Sequence, residues 1–555
     1  MKIPADVPAR YSLYQDLMRD CVATRSDRRR AYAAWRNYYL YGADGTTRNE
    51  ARYNKIYPHI DTTTSFLYSQ ETTRFSVQLA ANISQLEMRK VPAVNRAIND
   101  EWMNSNTDIV FGNALTWSFV YGSMFIKPRW RVDGIEPFVV DPHNFGVLRE
   151  DSPGIHSQEA FCHTYYISKG QLAAELDAAR HPQRERIMNA VTATQKANIT
   201  DTTPMDRIIT SASSPMVTGN VNMQLSVRTQ YAPRVSHELV EMCELYVWND
   251  DTQDYQIVTL ADPMEVVYDR PLDGMFLKDD APFIQICPIP TYDYFFGYSE
   301  VERLTSVQDA ISDRWDEITH MMALQAHPPK NFSGFPGITD EIALAFDSPN
   351  GQVNSEMPGA KVDNMAPDIP NDLFREIDRL EQMFEDISGI NGVMQGKGEQ
   401  GVRSSGHASQ LARLGSSRIK KRALIVEDSL EKLATLYLKI KRKYDKTRLR
   451  AQGEKDERGD QFILDQFTAQ CVVRVDAHSN SPIFNEDQTQ LAFELFKAGS
   501  ITKERLLELV AVPMRQQLLF DLKDRIEPAE QAKAEQERQD KIMELNAHRG
   551  GRHGA

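Results

Sequence analysis

The feature that most constrains this chain is a long helical pattern interrupted twice. From Ser299 to Ala326, Leu304, Val307, Ile311, Ile318 and Met322 return at steps of three, four and seven, which places them on one helical stripe. Ser299 reads as the N-cap, with Glu302 at the third helical position, the arrangement of a capping box. Pro328 and Pro329 stop this helix, whose length would be about 40 Å at 1.5 Å per residue. Residues 327–371 are irregular and rich in proline and glycine, with short β-like pieces such as "QVNSEM". A second helix is expected over Asp372–Ile387, with its stripe at Leu373, Ile377, Leu380, Phe384 and Ile387. The second interruption is "SGINGVMQGKGEQGVRSSGHASQ", Ser388–Gln410, which holds six glycines. The longest helical pattern comes next, from Ala408 to about Arg450. Its stripe is Leu411, Leu414, Ala423, Val426, Leu430, Leu433, Tyr437, Ile440 and Tyr444. Gly415 and Ser416 are expected to kink it.

The chain before Ser299 divides in two. Residues 9–40 read as a helix with Tyr32, Trp35 and Tyr39 as a core-packing stripe, beside the basic run Arg28–Arg30. Further helices are expected over Ile56–Gln70 and Val91–Tyr121. From about 124 to 290 short apolar runs alternate with turn signals, and "NDDTQD" between two β-rich runs reads as a hairpin turn. Within that zone "TATQKANITDTTPMDRIITSASSPMVTGN" reads as a long polar loop. After the long helix, "QFTAQCVVRVDAH" alternates like a strand. Helical patterns then resume from Glu486, and the end from about 547 reads as a disordered tail.

At 555 residues, with 41% hydrophobic and 26% charged residues, the chain belongs to the folded globular class and is long enough for three or four domains. The net charge of −14 argues against a general nucleic-acid coat, which is usually basic. That charge is segregated: residues 401–450 carry 14 Lys and Arg against 4 Asp and Glu, a basic band on an acidic chain. The five cysteines are far apart and form no CxxC pair, so neither a disulfide framework nor a zinc site is expected. Met1–Asp20 holds no apolar signal core, so no secretory signal is expected. Ile109–Ile126 is uncharged, but polar residues and Gly122 interrupt it. It reads as a buried helix ending near Tyr121 and then a strand, not a membrane span.

Catalytic motifs fail on spacing. A phosphate-binding Walker loop needs GxxxxGK followed by Ser or Thr. Here Gly392 and Gly396 are one residue too close, Gly398 follows Lys397, and the loop follows a helix. "HELVE" at His237 has Glu241 where a zinc-protease motif needs histidine, and "GYSEV" at Gly297 has Val301 where a nucleophile elbow needs glycine. Asp309, Asp313 and His320 share a helical face, but with no second ligand cluster they read as a solvated polar face and not a metal site. The chain is therefore not expected to be an enzyme, and no cofactor or metal is expected. A nucleic-acid enzyme gripping its substrate with residues 401–450 remains as an alternative reading, as does a structural adaptor using helix-in-groove contacts.

The order of "FFGYSEVERL", the Pro/Gly-rich insertion, "ISGINGVMQG", "SSGHASQ", the long basic helix and "SPIFNEDQTQLAFELFKAGSITKERLLELV" resembles the portal proteins of tailed, most closely short-tailed, double-stranded DNA bacteriophages. The resemblance implies an α+β, multi-domain portal fold. Residues 1–298 would be wing, 299–326 and 372–388 the stem helices, and 327–371 the clip. Residues 389–406 would be the tunnel loop, 407–450 a long kinked wing helix, and 451–555 the helical crown and its lead-in. It implies a ring, with twelve copies expected, at one vertex of the virion capsid, assembled in the host cytoplasm. Double-stranded DNA would pass through the ring without sequence specificity during packaging and ejection. The partners implied are terminase, the major capsid and scaffold proteins, and a head-completion or tail adaptor protein. Lys397 and Arg403, among the flexible Gly396, Gly398 and Gly401, would touch the DNA backbone. Asp309, Asp313, Asp316, Asp378 and Glu381 would give the stem an acidic face toward the channel, where phosphates slide and do not stick.

Overall fold

Where the N-terminal helices break is decided by what each one packs against. α1 (Val7–Val22) is capped by Asp6, whose carboxylate accepts from the Ala9 amide at 3.3 Å, and it buries Tyr14, Leu17, Met18 and Cys21. α2 (Arg25–Tyr41) buries Tyr32 and Tyr39 in a different cluster. The expected single helix over 9–40 is therefore two, α1 and α2, which bury their apolar residues in different clusters. The basic run Arg28–Arg30 lies inside α2. The computed structural model describes residues 1–23, 25–44, 53–68, 73–79, 84–131, 134–191, 195–197, 237–262, 265–272, 282–326, 328, 330–333, 359, 361–365, 368–390, 417–451, 460–467, 471–475, 492–501 and 506.

α3 (Ile56–Leu67) is followed by strand β1 (Phe75–Leu79), then α4 (Gln85–Asn104) and α5 (Thr107–Tyr121). The expected helix over Val91–Tyr121 begins earlier and is interrupted. Asn106 takes a left-handed conformation, φ 51°, which asparagine tolerates better than most residues. α5 ends at Gly122, φ 90°, and the chain turns straight into a strand, as the sequence suggested. Among the described residues, no helix is long and apolar enough to cross a membrane.

The β-rich zone forms two antiparallel sheets. β2 (Met124–Arg131) and β3 (Gly134–Val140) pair as a hairpin. β4 (Phe145–Val147) and β5 (Ala160–Ser168) start the larger sheet. α6 (Lys169–Ala178), capped by Ser168, and α7 (Arg184–Ala190) pack beside it; neither was anticipated. β6 (Gln195–Ala197), β7 (His237–Asn249), β8 (Asp254–Ala261) and β9 (Glu265–Pro271) complete it in the order β4-β5-β7-β8-β9, with β6 on β7. The β7–β8 connection is the expected "NDDTQD" turn. β10 (Ile284–Ile286) adds to β2.

α8 (Glu300–Ala326) and α9 (Asn371–Ser388) are the two expected helices on either side of the insertion. Between them β11 (Lys330–Ser333) and β12 (Lys361–Asn364) pair antiparallel, so the insertion leaves and returns through one ribbon. "QVNSEM" lies outside the described residues. α10 (Ser417–Tyr444) is the long helix; Gly415 and Ser416, the expected kink, lie outside the described residues. It ends sooner than expected. The Asp445 carboxylate accepts from the Thr447 amide at 2.9 Å, and β13 (Arg448–Arg450) then pairs with β14 (Gln461–Ile463). β15 (Cys471–Val475) pairs along the whole of β1, tying the C-terminal third back to the start of the chain. Residues 492–497 are helical, as expected, and beyond 501 only residue 506 is described.

One large apolar cluster joins these parts. It includes Ile60 of α3, Trp102 of α4, Phe119 of α5, Ile311 of α8, Phe384 of α9 and Leu430 of α10. The α10 stripe is buried at Ala423, Val426, Leu430, Leu433, Tyr437 and Ile440, while Tyr444 is exposed. The α8 stripe is buried from Leu304 to Ile318, but Met322 is 57% exposed and departs from expectation.

Candidate functional site

α8 and α9 form an antiparallel hairpin. Arg314 of α8 meets Glu376 of α9 at 3.1 Å. Six residues earlier on α8, the Gln308 side chain accepts from the Lys55 amide at 3.1 Å, and the Lys55 ammonium lies 2.9 Å from Glu381 of α9. Levels thus match as numbers rise on one helix and fall on the other.

The hairpin is pinned to the body at its α8 end. Ser299 Oγ accepts from the Glu302 amide at 3.3 Å, the expected cap, and donates to the Val120 carbonyl at 2.6 Å. Gly297 and Gly122 lie back to back beside it. A Cβ on Gly122 would stand 2.8 Å from the Phe296 carbonyl oxygen; one on Gly297 would stand 2.4 Å from Cys287 Sγ. Both have positive φ, so glycine answers both the space and the backbone conformation.

Glu300, 1% exposed, is the centre of this anchor. One guanidinium nitrogen of Arg422, from α10, donates to both its oxygens at 3.1 and 2.9 Å. His59 Nε2 of α3 lies 3.3 Å away, and the His59 ring stands edge-on to Phe384 of α9. Burial alone would raise the Glu300 pKa, but the bonds from His59 and Arg422 outweigh it and hold the carboxyl below its ordinary value. Helices α3, α8, α9 and α10 thus meet at one buried charge. A second node ties α10 at its other end: Lys441 donates to Glu101 at 2.6 Å, and the other Glu101 oxygen accepts from the Ile135 amide at 2.7 Å.

The expected acidic residues divide by environment. Asp309 accepts from the Tyr38 hydroxyl at 2.8 Å, and Glu381 is half-buried against Lys55. Asp313, Asp316 and Asp378 are exposed, the first two on α8 and the last on α9. Lys397, Arg403, Gly396, Gly398 and Gly401 lie outside the described residues. The residues flanking that segment, Ile390 and Ile419, are each 1% exposed and enter the same apolar cluster. Sequence reasoning missed Glu300, Arg422, His59, Glu101 and Lys441. Their partners are far apart in sequence, and no spacing marks them. Among the described residues no group of three or more histidine, cysteine or carboxylate side chains is placed to hold a metal ion.

A helical hairpin is thus pinned at one end to an α/β body and opens at the other into a ribbon-led insertion. The model of the phage SU10 portal protein family matches residues 86–453, about two thirds of the chain, spanning α4 to β13. The chain belongs to that family. SU10 is a short-tailed phage, and membership implies a structural, non-enzymatic role as a capsid portal at the virion vertex, in a ring oligomer that DNA traverses. A search of curated proteins finds no match.

Proposed function

We propose that copies of this chain assemble as a dodecameric ring at one capsid vertex and form the channel for genome packaging and later ejection. Residues 1–298 and 407–450 act as wing, the α8–α9 hairpin as stem, and 327–371 as clip. Residues 389–406 act as the tunnel loop, and 451–555 as crown and lead-in. During assembly in the host cytoplasm the ring joins the major capsid and scaffold proteins. The clip docks the terminase motor first and a head-completion or tail adaptor protein afterwards. The observation that carries this reading is the pinned hairpin with its ribbon-led insertion, within the segment that matches the portal family.

DNA passes without base readout, because backbone contacts carry no sequence information. The exposed stem carboxylates disfavour phosphate adhesion, and Lys397 and Arg403 supply transient backbone contacts. The commitment of Arg422 and Lys441 to buried partners supports this reading over an enzyme that grips nucleic acid with residues 401–450.

A mass measurement on assembled particles tests the ring: about twelve copies are expected, and a monomer or dimer under every assembly condition would sink the proposal. Deleting Gly396–Arg403 tests the loop. Rings should still assemble, while packaging or retention of DNA falls; normal packaging and retention would remove the DNA-contacting role.

A further inference from the structure

Residues 391–416 leave the described chain at Ile390 and return to it at Ser417, and both points are held by the same junction. α9 closes on Gly389, φ 76°, whose amide donates to the Glu385 carbonyl at 2.8 Å. Ile390 follows; its amide donates to Ser388 Oγ at 3.4 Å and its side chain is 1% exposed. On the return, Ile419 is equally buried in the same apolar cluster, three residues before Arg422. Arg422 reaches back to Glu300, the first residue of α8, with its guanidinium over the Phe119 ring at 5.6 Å to the centroid. His59 joins the two sides. Its Nε2 lies 3.3 Å from Glu300, and its ring stands edge-on to Phe384, six residues before Ile390.

The contacts at this junction differ in what they can specify. Burying Ile390, Ile419 and Phe384 removes apolar surface from water, a driving force that has no direction. A charge-assisted hydrogen bond has one. A buried ion pair is also an inefficient source of stability, because well-packed apolar residues of similar volume often hold a fold as well or better. What the Glu300–Arg422 pair adds is position. It sets the first turns of α10 against the start of α8, and His59 links the same carboxylate to the last turns of α9.

We propose that Glu300, Arg422 and His59 are positioning residues for genome passage: they set the spacing between Ile390 and Ser417, the two points between which residues 391–416 are strung. This rests on the reading of residues 389–406 as the tunnel loop. Losing one partner strands a buried charge, whereas losing both together removes only the positional key.

A paired apolar replacement, Glu300→Leu with Arg422→Met, tests this in the full chain. Native mass measurement follows ring formation. DNA-filled heads are counted when the variant replaces the wild-type chain during infection. Spin labels on Ile387→Cys and Lys421→Cys report the spacing, with labelled chains diluted among unlabelled ones. Both label sites are exposed beside the two points, and the native cysteines are buried or half-buried. Rings should form as in wild type, the label distances should spread at least twofold, and filled heads should fall at least tenfold. Intact rings with unchanged label distances, or with normal filling, overturn the proposal. If the paired variant forms no rings, Arg422→Lys, which keeps the charge and loses the guanidinium geometry, is read in the same way. Loss of rings in both variants makes the pair a stability element alone and overturns the proposal too. Normal filling by the Gly396–Arg403 deletion removes the loop reading itself. Reduced filling by that deletion with normal filling by the paired variant removes this inference alone.

Discussion

Glu300 and Arg422 stand 122 residues apart in sequence and meet at 2.9 Å, with the carboxylate almost sealed from water. The pair joins the first residue of the hairpin to the long helix α10. Removing one partner of a buried pair leaves an uncompensated charge, which costs more than the pair itself contributes. Arg422→Ala should therefore destabilise the chain by about 3–5 kcal/mol. Chemical denaturation at fixed protein concentration measures this. A loss below about 1 kcal/mol, the range of exposed pairs, would show that the anchor is not a buried pair in solution.

The same node makes stability depend on acid. Its partners hold the folded pKa of Glu300 below the unfolded value. The contribution is then complete above the unfolded pKa, about 4.3, and is lost as pH falls through the lower folded value. Glu300→Gln should be less stable than wild type at pH 7, and the gap should narrow as pH drops below about 4. Melting temperatures across that window test the sign. A gap that is constant or widens in acid would refute the assignment.

Gly297 belongs to the "FFGYSEVERL" stretch, and its role is steric. It sits at φ 67°, and an added Cβ would lie 2.4 Å from Cys287 Sγ and 2.8 Å from the Ile289 carbonyl oxygen. Gly297→Ala should cost about 2–4 kcal/mol, combining backbone strain with overpacking. Gly154 is the control: φ is 84°, but nothing lies within 4 Å of its added Cβ. Gly154→Ala should cost about 1–3 kcal/mol, from the backbone alone, because φ 84° with ψ 146° lies close to a region essentially open only to glycine. Equal losses in thermal melts would mean that the close approach at Gly297 plays no part.

These sites show what the sequence could and could not disclose. The α8 stripe up to Ile318 and the Ile377–Phe384 part of the α9 stripe were legible because burial on a helix repeats every three or four residues, whereas Ile387, expected on that stripe, is 40% exposed. The Ser299 cap was legible because its partner is three residues away. Met322 broke the pattern because the stripe outlasts the packing partner near the far end of the hairpin. The break at Asn106 turns on a single residue's φ, which leaves no periodic trace. Glu300 and Lys441 were not singled out, since nothing local marks a carboxylate or ammonium whose partner arrives from another helix. The portal resemblance came instead from the order of several weak motifs, and order survives where individual contacts cannot be read.

The basic run of α10 gives the last contrast. Lys441 and Lys432 look equivalent in sequence, two cations among many in residues 401–450. Lys441 is 9% exposed and bonds Glu101, which itself holds the Ile135 amide. Lys432 is 57% exposed and pairs with Asp428 one turn earlier. Lys441→Ala strands the Glu101 carboxylate and should cost about 3–5 kcal/mol. Lys432→Ala removes an exposed pair and should cost at most about 0.5 kcal/mol. The two are compared by denaturant unfolding at one protein concentration, because assembly would otherwise shift the midpoint. If Lys441→Ala cost no more than Lys432→Ala, the positive charge of α10 would be a surface property, and a grip on nucleic acid along this helix would regain its footing. The expected asymmetry would instead identify Lys441 as part of the scaffold that holds the hairpin in place.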